Sequence, residues 1–299
     1  MRVTAFVGAL ALVMGAGALT YVSDSSSNAR KSDIVRVGVL PDQDAATLKE
    51  NFEPLLGYLA AKTGREFQLV IPDDYQKLVT LFEERNVDLA YFGGLTFVQA
   101  RQSSGAVPLV MRKSDTRFTT SFIVRNEAPW NECRQLACEE LERAVMLFGS
   151  QLSTSGHLMP RYFLQSELEI VPEHLFSDVQ YSGAHDQTAM DVRSGRGTIG
   201  AMNSSILSAM VADGRITAGE LFLIWETPPY PDYVWAVQED TDRSTSASIR
   251  DAFLALSDPG ANTKGVLEGL QAASFVPASA RDFDLLLSIA QQSGLLGHP

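Results

Sequence analysis

From Ile34 onward the chain alternates β-rich runs with helical stretches, breaks off near Arg125, and begins the alternation again at Ala144. That repeat is the strongest constraint on the fold. A helix bundle lacks the β-rich runs, and a β-sandwich lacks the helices between them. The first series is IVRVGVL (34–40), Phe52, Leu55, Leu56 and Leu59 at helical spacing up to Gly64, FQLVI from Phe67, a helical stretch over residues 75–84, VDLAYFG (87–93) and the helix-like LTFVQARQ. Buried apolar strands separated by helices predict a parallel α/β lobe, closed by the extended runs VPLVM and FTTSFIVR.

The second series is AVMLFG (144–149), DVQYSG (178–183), GTIGAM (197–202) and LFLIW (221–225), again separated by helical stretches. YVWAVQ (233–238) mirrors FTTSFIVR, and the C-terminal helical stretches carry no strand run of their own, so they are expected to pack back on the first lobe. The expected organisation is a signal peptide over 1–18, a flexible leader over 19–32, a first lobe from 33–121 and 236–299, and a second lobe from 122–235. Two extended crossings, near 120–125 and 227–237, would hinge the lobes. One continuous nine-strand sheet is the competing arrangement.

Composition bounds the function classes. A chain of 299 residues that is 45% hydrophobic can bury two cores, which excludes a disordered or fibrous protein. Arg2, an uncharged apolar run and the small triplet Ala16-Gly17-Ala18 read as an export signal rather than a membrane span, and the expected location is the periplasm. No cysteine follows that run to carry a lipid. Removing residues 1–18, whose only charge is Arg2, takes the formal net charge from −12 to −13. With no basic cluster either, nucleic acid is excluded as a partner.

The stretch GSQLSTSGHLMPRYFLQ (149–165) follows a strand and opens a helix. Free backbone N–H groups and the positive end of the helix dipole lie at such a start. Ser153, Thr154 and Ser155 add three hydroxyls, and Gly149 and Gly156 permit close approach of a ligand. This is the equipment for a tetrahedral oxyanion; a plain N-cap needs one hydroxyl. Pro160 would free a carbonyl or kink the helix.

FGSQLSTSGHLMPRYFL closely resembles the Ser-Thr-Ser-Gly signature of the phosphate/phosphite/phosphonate periplasmic binding proteins that serve ABC transporters. VGVLPD, PDDYQKL, VDLAYFG, YSGAHD and IWETPPYPDYVW extend the resemblance over about residues 35–275. It implies an α/β, two-lobed type II periplasmic binding protein fold that clamps an oxyanion and delivers it to a permease, as a monomer and without a cofactor. Carried over by position, Ser153, Thr154, Ser155 and Gly156 would hold the oxyanion, with Tyr75 reaching it from the other lobe and His185 donating an imidazole N–H. Phe118 stands where relatives carry a second tyrosine. Of two positions that bind the ammonium of aminoalkylphosphonates, one is Ser205 and only the other, Asp232, is acidic. A small or uncharged-tailed oxyanion is therefore expected.

Cys133 and Cys138 leave two readings open. They pair as a disulfide, or, if ECRQLACEE is helical, stay free as residues too far round the helix to bridge. Free thiols would fit relatives that resemble arsenite receptors reporting to a sensor histidine kinase, with Cys138 the metalloid ligand. Catalysis is not expected: Ser155, His185 and Asp186 lack a G-x-S-x-G elbow, and His157, His174 and His185 have no metal-ligand spacing.

Overall fold

The structure, a computed structural model, describes residues 34–258 and 263–296. The expected signal peptide and leader fall outside the described residues. The strands are β1 (Ile34–Val39), β2 (Glu66–Val70), β3 (Leu89–Phe92), β4 (Val107–Arg112), β5 (Thr120–Arg125), β6 (Val145–Phe148), β7 (Asp178–Tyr181), β8 (Ile199–Asn203), β9 (Leu221–Glu226), β10 (Val234–Val237) and β11 (Phe275–Pro277). The helices are α1 (Ala45–Thr63), α2 (Tyr75–Glu83), α3 (Gly94–Ser104), α4 (Met159–Leu168), α5 (Pro172–Leu175), α6 (His185–Ser194), α7 (Ser204–Ala212), α8 (Arg243–Leu254), α9 (Lys264–Gly269) and α10 (Asp284–Gln292).

Two sheets form, in the orders β11-β4-β10-β3-β1-β2 and β7-β6-β8-β5-β9, which rules out the single sheet. Neither is all-parallel. In each, the strand arriving from the other lobe inserts antiparallel to both neighbours: β10 between β3 and β4, and β5 between β8 and β9. β1 and β2, and β6 and β7, pair in parallel as their helical crossovers require. The short edge strand β11 was not foreseen, because three residues ending in Pro277 carry no periodic signal.

The crossings lie side by side; the outbound one sits earlier than expected and the return one is shorter. Thr120–Arg125 is already a strand of the second sheet, so the outbound crossing is residues 113–119 and the return is 227–233. Phe118 and Tyr230 pair through two backbone hydrogen bonds, of 2.7 and 2.9 Å. The Thr120 N–H donates to the Thr227 hydroxyl, at 2.9 Å.

α1 illustrates the local rules. Asp44 caps it by accepting from the Thr47 N–H, Gly64 ends it in the left-handed conformation at φ 71°, and Leu48, Phe52, Leu55, Leu56 and Leu59 face inward. Phe253 of α8, Val266 of α9 and Leu286 of α10 join the core of the first lobe. So do Met159 and Phe163 of α4, which belongs to the second lobe. The two lobes are therefore in apolar contact and the cleft is closed. Among the described residues no helix is long and apolar enough to cross a membrane.

Cys133 and Cys138 form a disulfide, which corrects the free-thiol reading and with it the metalloid-binding roles of both residues. The segment is not helical. Gln135 and Leu136 take positive φ in a chain of short 3-10 turns, and this reversal brings the two Cα atoms to 5.1 Å, within bridging range. Cys133 packs with Phe122, Val124 and Leu141 in a core of the second lobe. Closing so short a loop contributes about 2 kcal/mol by chain entropy. Cys133→Ser should lower the thermal midpoint while leaving the affinity for an oxyanion unchanged at low temperature, measured by calorimetric unfolding and titration on the same preparation.

Candidate ligand-binding site

Ligands of open α/β sheets bind outside the carboxyl ends of the strands. Here those ends bring four helix starts into the closed cleft: α2 and α3 from the first lobe, and α4 and α6 from the second. Leu95 and Gly94 of α3 donate their N–H groups to Thr154 Oγ1 and Asp232 Oδ1, each at 2.9 Å. His185, the first residue of α6, lies with its Nε2 3.5 Å from Ser155 Oγ. Its own N–H donates to the Asp42 carbonyl in the loop after β1, at 3.0 Å.

The Ser-Thr-Ser segment is shaped by a single wide turn. Residues Thr154–Leu158 form a π-helical turn ahead of α4, and Leu158 donates to Ser153, five residues back, at 3.0 Å. Pro160 has no N–H to give the Gly156 carbonyl, which instead accepts from Gly149 at 2.8 Å and ties the loop onto the end of β6. A Cβ on Gly156 would lie 2.8 Å from Ser153 Oγ and 3.1 Å from the Gly149 Cα, so the fold needs glycine there. Ser153 Oγ is the helix cap, accepting from the Gly156 N–H at 2.9 Å. The Ser155 carbonyl accepts from Thr120 Oγ1 at 2.8 Å, which ties the loop to the hinge.

Burial sets the charge state of the cleft. Desolvation pushes the His185 imidazole down to about 4, and the Asn203 N–H points at Nδ1, so the neutral ring carries its proton on Nε2, facing Ser155. Desolvation pushes Asp232 up to about 7 and, against the Tyr233 hydroxyl bond, Asp42 up to about 6. The Tyr75 hydroxyl is held well above its ordinary value by burial, beside Ser153. Tyr75 Oη and Asp232 Oδ2 are buried and make no hydrogen bond. Arg112, the buried cation nearby, is committed to Asp115 at 2.7 Å and to the faces of Tyr91 and Tyr233. The donors of the cleft are thus neutral dipoles.

The family model for the periplasmic substrate-binding protein of phosphonate ABC transporters matches residues 37–283. The chain belongs to this family. A relative named as a probable ABC-transporter phosphite-binding protein, PhnD1 of Prochlorococcus marinus, is 28% identical over 265 residues, covering 87% of this chain and 89% of the relative. A phosphate-import protein PhnD of Mycolicibacterium smegmatis is 23% identical, covering 88% and 86%. The structure of the same Prochlorococcus protein in complex with methylphosphonate superposes with a TM-score of 0.79 at 27% identity, over 88% of this chain and 99% of that one. A binding component of a phosphonate transporter from Pseudomonas aeruginosa gives 0.77 at 18% identity, over 87% and 86%, a likeness of fold.

For a member of the phosphonate-binding family, the sequence-derived candidates fall in one place with two exceptions, Phe118 and Ser205. Tyr75, Ser153, Thr154, Ser155, Gly156, His185 and Asp232 meet at the four helix starts. Phe118 is a packing residue of the hinge, with ring centroids 5.7 Å from Tyr233 and 6.0 Å from Tyr230. Ser205 is exposed on α7. Missed altogether was the start of α3, although YFGGLTF has the same strand-glycine-helix order as the Ser-Thr-Ser segment. A Cβ on Gly93 would stand 3.3 Å from Thr154 Oγ1, which is why small residues occupy this junction.

Proposed function

We propose that this protein is a monomeric periplasmic receptor that closes its lobes on a small phosphorus oxyanion of the phosphite or methylphosphonate type, then delivers it to the permease of an ABC transporter. The observation that carries the reading is the junction of helix starts from both lobes, Leu95 and Gly94 of α3 against Thr154 and Asp232 and His185 of α6 against Ser155, with Tyr75 Oη and Asp232 Oδ2 buried there without a hydrogen-bond partner. Ser153, Thr154, Ser155 and the N–H of His185 Nε2 donate to the oxyanion from the second lobe, Tyr75 from the first, and the hinge lies at residues 113–119 and 227–233. The oxyanion-binding names of the relatives support the same class. Both cysteines are engaged in their disulfide, so a thiolate receptor for arsenite is not favoured.

Titration calorimetry with phosphite, methylphosphonate, phosphate, sulfate and 2-aminoethylphosphonate tests the reading. The small phosphorus oxyanions should bind, and the aminoalkyl ligand should bind at least about tenfold more weakly, since of the two positions expected to hold its ammonium group Ser205 carries no charge and only Asp232 is acidic. Because the donors are dipoles rather than free cations, raising the ionic strength should change the affinity little. Small-angle scattering should report a smaller radius of gyration with ligand than without, as expected when one ligand bonds to both lobes. Absence of binding to every one of the phosphorus oxyanions would sink the reading.

A further inference from the structure

His157 is the residue of the Ser-Thr-Ser-Gly-His run that oxyanion binding does not use, and it is buried at 4% exposure. Its Nδ1 lies 2.7 Å from the Gln151 carbonyl, two residues before Ser153. On its other edge, Nε2 meets Arg161 Nε and Tyr181 Oη, each at 3.1 Å. Arg161 can only donate, so Nε2 must accept, the proton of the neutral ring sits on Nδ1, and the Gln151 carbonyl receives it. The tautomer is thus dictated by the guanidinium. Desolvation pushes the imidazole down to about 4, which keeps that neutral form in use near neutrality.

The partners are themselves fixed. Arg161 forms an ion pair with Glu173 at 2.7 Å and lies 5.0 Å over the Phe148 ring. It also donates to Tyr181 Oη at 3.3 Å, leaving that hydroxyl free to donate to His157. The imidazole stands edge-on to Phe148 and Tyr181, at 5.3 and 5.0 Å between centroids. Phe148 ends β6 and leads into the Ser-Thr-Ser loop; Tyr181 ends β7 and leads into His185.

We propose that His157 is a positioning residue for oxyanion binding: by bridging the Gln151 carbonyl to Arg161 and Tyr181, it fixes the loop carrying Ser153, Thr154 and Ser155 in register with the loop carrying His185. The wide π-helical turn leaves Leu158 as the residue that donates to the Ser153 carbonyl, and ahead of it the segment 150–153 is closed on itself only by the Ser153 N–H to the Ser150 carbonyl at 2.9 Å and the Leu152 N–H to Ser150 Oγ at 3.3 Å, so a side-chain bond to the Gln151 carbonyl adds a restraint these local bonds do not give. The His157 ring supplies that restraint from the side away from the ligand. This inference rests on the oxyanion reading, and wild-type titration separates the two.

The test uses the full-length mature protein with methylphosphonate and phosphite as probes. His157→Phe keeps a ring and its edge-on contacts but loses all three hydrogen bonds, and should raise the dissociation constants at least about tenfold, the equivalent of about 1.4 kcal/mol. In the ligand-free variant the backbone amide resonances of Thr154, Ser155 and Gly156 should move while those of the six-stranded sheet stay put. His157→Gln, which retains one donor and one acceptor, should recover most of the affinity. If His157→Phe does not fold, Tyr181→Phe, which removes one donor to the ring, and Arg161→Gln, which removes the guanidinium bonds to His157, Tyr181 and Glu173, should each weaken binding a few-fold. Wild-type affinity in His157→Phe, or in both of those two variants, overturns the positioning role. Failure of wild type to bind either probe overturns the oxyanion reading on which it rests.

Discussion

Thr154→Ala lowers the affinity for methylphosphonate by about ten- to a hundredfold, because one hydroxyl serves two bonds. Its hydrogen faces the Asp232 carboxyl and turns to the oxyanion when one is bound, and a hydrogen bond to a charged group is worth about 1.5–3 kcal/mol. Its oxygen accepts from the Leu95 N–H at 2.9 Å, across the cleft. In the closed variant that buried N–H has no partner, which costs about 1–3 kcal/mol. In the open protein water can reach it, so the penalty falls on the ligand-bound state alone. Thr154→Ser should stay within a few-fold of wild type and Thr154→Val should behave like the alanine variant. Ser153, not Thr154, is the helix cap, so the thermal midpoint of the ligand-free protein should shift little. Titration calorimetry on the three variants checks the prediction; equal affinities for wild type and Thr154→Ala would remove the hydroxyl from the site.

Much of this architecture is written in local patterns. Each β-rich run named from the sequence is a strand, because fully buried strands such as LAYF (89–92) must be apolar on both faces. The Ser-Thr-Ser segment is legible for a similar reason: three hydroxyls between glycines at a helix start have no economical role in packing. Other features depend on who comes back to meet whom. The antiparallel placement of β10 and β5 follows from the chain crossing the hinge and returning, which no window of sequence contains. The role of Gly93 and Gly94 appears only when Thr154 is brought against them from the other lobe. The cysteines are the clearest case: a five-residue separation is unsuited to a bridge in a helix and suited to one in a chain reversal, and the positive φ of Gln135 and Leu136 decides between the two.

Asp232 makes oxyanion binding dependent on pH, with affinity lost as pH rises. The carboxyl is 1% exposed, held by the Gly94 N–H through Oδ1, and burial pushes it up to about 7. Below that value it is protonated and can donate to the oxyanion through Oδ2, which makes no close hydrogen bond although the Thr154 and Ser155 hydroxyls face the carboxyl. Above it, the folded protein presents a buried carboxylate to an anion, and two like charges without water between them cannot share the site at no cost. The ligand is then bound only with uptake of a proton, either onto Asp232 or onto the oxyanion itself. One proton taken up per ligand gives a loss of about tenfold in affinity for each unit of pH beyond the point where both groups are ionised. His185 does not oppose this trend, since its imidazole, pushed down to about 4, stays neutral throughout the range, and Asp42, pushed up to about 6, ionises at the low end of it in wild type and variant alike. Asp232→Asn keeps the carbonyl oxygen that accepts from Gly94 and substitutes an uncharged amide donor for the titrating oxygen. Between pH 6 and pH 9 the dissociation constant of wild type for methylphosphonate should rise at least about tenfold, and that of the variant by less than about threefold. Calorimetry in buffers of different ionisation enthalpy would count the proton directly: uptake by wild type at pH 8.5 and none by the variant is the expected result, and equal uptake by both proteins would assign the proton to a group other than Asp232.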